Sequence, residues 1–283
     1  MSAYRIGIYE KAFPENLSME DMLKIAEQSG YDYFELSIDR TEQRINRLYT
    51  DSFKNAAMDA VKNQKLQIHS ICLSALSTFT LGSRDAEEVK KGLDIFYQTV
   101  QFAVQIGVRI IQIPACDVRK GEYSDAETDL RFRKNLQRIT EYASCFGVLV
   151  GLENMETEYM DSVQKCMRLI EEINSPYFQL YADAGNITSA MLSAGKDLIC
   201  DMNYGAGHYI AFHIKETRPG KYGGLFYGEG HVDIKKTVGQ AWKLGVRQFV
   251  MEYWYTGNKN WMNDLLKARE IIDGILREFS GRD

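Results

Sequence analysis

Short apolar runs alternate along the chain with longer stretches of helical periodicity, and the alternation repeats eight times. The runs predict strands at 5–9, 33–37, 67–73, 109–113, 148–153 and 178–182, then two more, 209–212 and 249–251. Each is too short for a helix and bounded by glycine, proline or polar residues. The intervening segments predict helices at 19–29, 50–63, 85–106, 125–146, 161–173, 188–202, 233–243 and 261–279. Ser18 is placed to cap the first helix, with Glu20 and Asp21 in its opening turn. Gly30, Gly107 and Gly147 follow the ends of three helices, where a left-handed residue closes the last turn. The helical region after residue 188 is expected to break near Gly195, the segment 38–42 reads as a polar loop, and Pro114 is expected to stop the fourth strand.

Strand–helix alternation of this kind specifies a parallel sheet with right-handed crossovers. No Gly-rich dinucleotide fingerprint follows the first strand, where the chain reads Gly7-Ile8-Tyr9-Glu10-Lys11-Ala12. The expected architecture is therefore a single α/β (β/α)8 TIM barrel over residues 1–283. Functional residues of such barrels lie at the C-terminal ends of the strands.

Four of the apolar runs end in a potential ligand: Glu153, Asp183, His213 and Glu252. Consecutive intervals are 30, 30 and 39 residues, obtained as 183 minus 153, 213 minus 183 and 252 minus 213. A strand–helix–strand unit takes roughly 30 residues or more, so the four side chains are expected at one end of four successive strands. Three carboxylates and an imidazole, with no thiolate, suit a divalent ion such as Mn²⁺, Zn²⁺, Co²⁺ or Mg²⁺ in a site open to substrate. Taken singly, each acid reads more simply as the partner of a rim base such as Lys215 or Arg218. Such a cation could polarise a carbonyl or activate a bound water, and periodicity alone leaves both chemistries open.

Composition adds mainly exclusions. A net charge of −5 with dispersed bases, and a mean hydropathy of −0.33, suggest neither a nucleic-acid nor a membrane surface. Only four histidines are present, which argues against a multi-histidine nuclease site. The five cysteines are scattered, without a Cys-x-x-Cys pair, and are expected as free thiols of a cytoplasmic protein.

Motifs along nearly the whole chain carry a resemblance. They include Glu35-Leu36-Ser37-Ile38-Asp39, Cys72-Leu73-Ser74-Ala75, Leu81-Gly82-Ser83, Ile111-Gln112-Ile113, Asp183-Ala184-Gly185-Asn186, His213-Ile214-Lys215 and Gly228-Glu229-Gly230. On these the chain resembles the xylose-isomerase-like barrels and, within them, is similar to the L-ribulose-5-phosphate 3-epimerases, also called L-xylulose-5-phosphate 3-epimerases. The resemblance implies a divalent metal held by Glu153, Asp183, His213 and Glu252. It further implies that Glu153 and Glu252 exchange a proton at C3 of a ketopentose 5-phosphate, through a cis-enediolate that the metal stabilises.

Expected substrate contacts are Glu156, Asn186, Lys215, Arg218 and His69, with Glu156 also a candidate to orient His213. As a residue inside a strand, His69 reads more readily as a satisfied core histidine than as a ligand. Two loops depart from the family pattern: Leu76-Ser77-Thr78 replaces a basic His-Arg-Arg-like segment, and Ala115-Cys116 replaces a Gly-Tyr pair. Epimerisation of free ketoses and aldose–ketose isomerisation are the neighbouring alternatives, and a non-catalytic sugar-binding protein is a further one. A homodimer is compatible with the composition.

Overall fold

The computed structural model of the chain describes residues 3–281. Eight parallel strands close into a barrel in chain order: β1 Arg5–Tyr9, β2 Tyr33–Ser37, β3 Ile68–Cys72, β4 Ile110–Pro114, β5 Leu149–Glu153, β6 Phe178–Asp183, β7 Tyr209–Ile214 and β8 Gln248–Met251. β8 pairs with β1, so the described barrel has no open edge. The helices pack outside: α1 Met19–Gln28, α2 Glu42–Asn46, α3 Asp51–Asn63, α4 Ala86–Gln105, α5 Ala126–Ser144, α6 Val163–Ile173, α7 Ala184–Ala194, α8 Leu198–Asn203, α9 Ile234–Lys243 and α10 Trp261–Ser280. Single 3₁₀ turns at Glu10–Ala12 and Ser74–Ser77 follow β1 and β3. Among the described residues no helix is long and apolar enough to cross a membrane.

The (β/α)8 architecture agrees with the sequence pattern, and two local differences have clear causes. The segment after β2 is not all loop, because Thr41 caps α2 and Arg44 is anchored on the buried Glu10. α7 starts four residues earlier than the sequence periodicity suggests. Asp183 ends β6 and at once caps α7, accepting a hydrogen bond from the Asn186 N–H at 2.6 Å. Gly195, at φ +60°, closes α7 before the chain turns into α8.

Apolar residues from the outer strand faces and the inner helix faces form the main core, with Phe34, Phe96, Phe102, Phe132, Phe178 and Phe212 fully buried. The barrel interior is different in kind. Its middle layer holds Tyr33 and Tyr181, fitted in by glycines opposite them. A Cβ at Gly7 would lie 2.2 Å from the Tyr33 ring, and one at Gly151 would lie 2.8 Å from the Tyr181 ring. The Tyr33 hydroxyl donates to the Phe249 carbonyl at 2.9 Å and the Tyr181 hydroxyl to the Glu35 carboxylate at 2.5 Å. The tyrosines thus form a rigid, hydrogen-bonding floor beneath the C-terminal mouth.

Candidate active site

Strand register places a polar layer directly above that floor. Asp183 pairs with His213 across β6 and β7, and Pro114 pairs with Glu153 across β4 and β5. With Glu252, one residue past β8, the four ligand-type side chains converge: one donor atom from each lies within 4.8 Å of the others. His213 Nδ1 sits 2.9 Å from Glu153 Oε1 and 3.0 Å from Glu252 Oε2. Lys215 Nζ reaches the same cluster, 3.2 Å from Asp183 Oδ1 and 3.8 Å from Glu252 Oε2. All five residues are buried.

The cluster is electrically unbalanced in a specific way. Burial pushes the Asp183 carboxyl up to about 8 despite Lys215, and burial also raises Glu153 against the pull of His213. Burial acts upward on Glu252 too, but there Lys215 and His213 prevail and hold it below the usual carboxylate range. Burial would lower His213, yet the carboxylates of Glu35 and Glu252 drive it well above the ordinary imidazole value. Asp183 Oδ2 and Glu252 Oε2 are buried and make no hydrogen bond, since His213 approaches the latter outside bonding geometry. Orphaned buried carboxylate oxygens beside a neutralisable imidazole are the donor set a hard or borderline divalent cation needs. The residues therefore fit a metal held by Glu153, Asp183, His213 and Glu252.

His213 is oriented by Glu35. Its Nε2 lies 2.6 Å from Glu35 Oε1, while Glu35 Oε2 accepts from Ser70 Oγ at 2.7 Å and from the Tyr181 hydroxyl. This is the carboxylate–imidazole support common behind metal-ligating histidines, leaving Nδ1 to face the cluster. Glu156, the sequence candidate for that role, instead lies on the cavity wall and pairs with Lys120 at 3.1 Å. Gln112, another residue with no role assigned from sequence, donates to Glu153 Oε2 at 2.6 Å.

The remaining sequence candidates separate. Lys215 and Glu156 line a cavity of about 510 Å³ above the cluster, together with Tyr9, Cys72, Ser77 and Trp254. Asn186 is buried behind that wall. Its Nδ2 donates to the Asn154 carbonyl at 2.8 Å, and the Asn154 side chain accepts the Asp183 N–H at 2.8 Å. It thereby fixes the ends of β5 and β6 relative to each other. Arg218 is exposed and does not line the cavity, because it belongs to a tight turn whose far member, Lys221, does. His69 is the second residue of β3, at the opposite end of the barrel. There it packs edge-on to Tyr33, with burial, and then Arg5, lowering it to about 4. Its strand position, not its residue type, decides this: strand starts point away from the mouth.

The comparisons with known proteins agree with this geometry. A family model described as the xylose isomerase-like TIM barrel matches residues 23–276. The chain is 34% identical over 271 residues to L-ribulose-5-phosphate 3-epimerase UlaE of Salmonella heidelberg (strain SL476), covering 94% of this chain and 93% of that protein. Among solved structures, an L-ribulose 3-epimerase superposes with a TM-score of 0.77 at 19% identity over 99% of this chain and 96% of that one. The IolI protein with a binding zinc atom superposes at 0.78 and 15% identity, over 97% of this chain and 99% of that one. The chain belongs to the xylose isomerase-like TIM barrel family and, within it, to the sugar 3-epimerases that include the L-ribulose-5-phosphate enzymes. It is thus an enzyme of the isomerase class.

Proposed function

We propose that the protein is a metal-dependent 3-epimerase of a ketopentose 5-phosphate of the L-ribulose 5-phosphate/L-xylulose 5-phosphate type, acting in cytoplasmic carbohydrate metabolism. One observation carries the reading: two buried carboxylates, Glu153 from β5 and Glu252 from β8, approach one ligand cluster from strands three apart. A divalent ion held by Glu153, Asp183, His213 and Glu252 would supply Lewis acidity toward a ketose carbonyl, making the neighbouring C–H more acidic.

This chain's own groups account for the rest. Glu153 and Glu252 take the proton from one face of C3 and return one to the other, a two-base arrangement suited to inversion through an enediolate. Gln112 holds Glu153 by its Oε2, and Glu35 fixes the plane of His213. Glu156 and Lys215, which line the cavity, would bind substrate oxygens. Trp254 and Tyr9 give the sugar an apolar surface in the same cavity.

The test is product formation. Metal-loaded protein incubated with L-ribulose 5-phosphate is expected to yield L-xylulose 5-phosphate, and chelator-stripped protein is expected to yield none until metal is restored. Conversion to an aldose phosphate in place of the 3-epimer would make it an aldose–ketose isomerase.

A further inference from the structure

A second cavity lies beside the catalytic one and shares a single wall residue with it, Trp254. About 180 Å³ in volume, it is bounded by the loop after β7, the loop after β8 and the start of α10. None of the four residues of the candidate metal centre lines it. The apolar run of β8 is followed, after Glu252, by Tyr253-Trp254-Tyr255, and these three rings line the cavity with Phe226 and Trp261. The rings do not stack on one another. Phe226 meets Tyr253 edge-on with centroids 5.5 Å apart, and Tyr255 meets Trp261 edge-on at 6.4 Å. Such pairing leaves the faces of the edge-on ring uncovered by its partner.

The charge lining this cavity is all of one sign. Glu229 and Asp264 are on its wall, and no lysine, arginine or histidine is. Each acid commits one oxygen locally. Glu229 Oε2 accepts the Phe226 N–H at 2.8 Å, and Asp264 Oδ2 accepts the Asn258 side-chain amide at 2.6 Å. Neither forms an ion pair with a described residue. Tyr253 adds an independent sign. It is only 5% exposed, and its hydroxyl has no hydrogen-bond partner. The hydroxyl of Tyr31 lies beside it but donates to the Leu265 carbonyl at 2.8 Å. Burial first, then Tyr31 and Asp264, raise the Tyr253 phenol, which sets that hydroxyl near the Asp264 carboxylate on the same wall. A buried hydroxyl without a partner is unfavourable, and a ligand in the cavity would complete its bonding.

Two carboxylates without a base, aromatic faces and an unpartnered hydroxyl together define what fits. A divalent metal ion is the wrong cation, because Ca²⁺ and Mg²⁺ take six or more oxygen ligands and ring faces supply none. An organic ammonium matches each part of the wall. Its charge is met by the carboxylates, its N–H groups reach them and the Tyr253 oxygen, and its cationic head and alkyl chain lie against the rings. We infer that this cavity binds a small alkylammonium ion, with Asp264 and Glu229 as counter-charges and Tyr253, Trp254 and Trp261 as the aromatic enclosure. The site stands apart from the proposed epimerisation, although Trp254 gives the two cavities a common wall.

Trp254 and Trp261 are two of the three tryptophans in the chain, so intrinsic fluorescence reports occupancy of the cavity. The experiment titrates the full chain with propylammonium chloride and, in parallel, with 1-propanol and with potassium chloride at matched ionic strength. A saturable change with propylammonium alone is expected. Asp264→Asn should weaken binding by about tenfold, as for loss of a charged hydrogen-bond acceptor. Glu229→Gln, at an exposed position, should weaken it by about threefold. Tyr253→Phe should also weaken it while leaving the urea midpoint no lower, because the hydroxyl removed has no partner within the protein. The absence of a saturable change, an equal response to propanol or potassium, or an affinity that neither Asp264→Asn nor Tyr253→Phe moves would overturn the site. Sedimentation without amine tests the source of the ammonium group. A species whose mass does not depend on amine supports a free amine, whereas self-association that propylammonium or Asp264→Asn reverses would overturn that reading in favour of a lysine from a second copy.

Discussion

Two buried charged clusters sit side by side at the mouth of this barrel, and they are built on opposite principles. In one, Glu10 accepts from Arg47 at 2.7 and 3.0 Å and from the Ser37 N–H at 2.8 Å, and Arg44 lies 2.8 Å away. None of the Glu10, Arg44 or Arg47 polar atoms is a buried orphan. In the other, Glu153, Asp183, His213 and Glu252 crowd three carboxylates around one imidazole and one lysine, and two carboxylate oxygens have no hydrogen bond. The carboxylates are buried in both. What distinguishes them is satisfaction: the first cluster is complete and ties α2 to β1 and β2, whereas the second leaves Asp183 Oδ2 and Glu252 Oε2 without a hydrogen-bond donor.

The largest expected effect is on catalysis. Glu252→Gln should lower 3-epimerase turnover by about 10²- to 10⁴-fold, the usual range for a positioned acid–base group. Steady-state rates on metal-saturated protein check this, and a loss below tenfold would remove Glu252 from the chemistry. Next comes the contrast between clusters. Glu10→Gln should destabilise the fold by about 3 kcal/mol, because one buried and one half-buried guanidinium group lose their shared carboxylate. Asp183→Asn should abolish tight metal binding yet leave the metal-free protein no less stable. The amide can still cap α7, and burial already favours the uncharged form of Asp183 in the metal-free chain. Urea unfolding of metal-free proteins measures both, and equal destabilisation would erase the distinction between the clusters.

A smaller effect is expected at Glu35. Glu35→Gln keeps the shape but weakens the support of His213, and metal affinity should fall about 10- to 100-fold in a competitive chelator titration. Unchanged affinity would reduce Glu35 to a packing residue. The most modest prediction concerns protons. In the metal-free chain His213 is raised well above its ordinary value and Asp183 stands at about 8, so both carry protons at neutral pH. A metal needs the imidazole neutral and the carboxylate ionised. Loading should therefore release protons, and affinity should rise as pH rises through neutrality. Calorimetry in buffers of different ionisation enthalpy reads the proton count, and zero release would contradict the picture.

How much of this was legible in the chain depends on distance along it. The strand-end acids announce themselves because each follows its own apolar run, and closure of the barrel then brings their ends together. Glu35 gives no such signal. It lies in mid-strand between Phe34 and Leu36, and its partner His213 is 178 residues away, so only the closed barrel shows the pair. The same is true of Gln112, a buried strand residue whose amide meets Glu153 across the β4–β5 pair. Lys120 and Lys221 lie in loops without periodicity, where the fold alone decides which bases face inward, and Arg218 shows how a three-residue offset reverses the answer. His69 is a different case: its place at the start of β3 was readable, and it puts the side chain at the closed end.

The most direct test of the central claim is deuterium incorporation, followed by NMR, when metal-loaded protein is incubated with L-ribulose 5-phosphate in heavy water. Exchange at C3, with none at C1 and with loss in both Glu153→Gln and Glu252→Gln, is the predicted result. Exchange at C1, or exchange at C3 that survives both substitutions, would contradict the assignment of these two carboxylates as the proton-transferring pair.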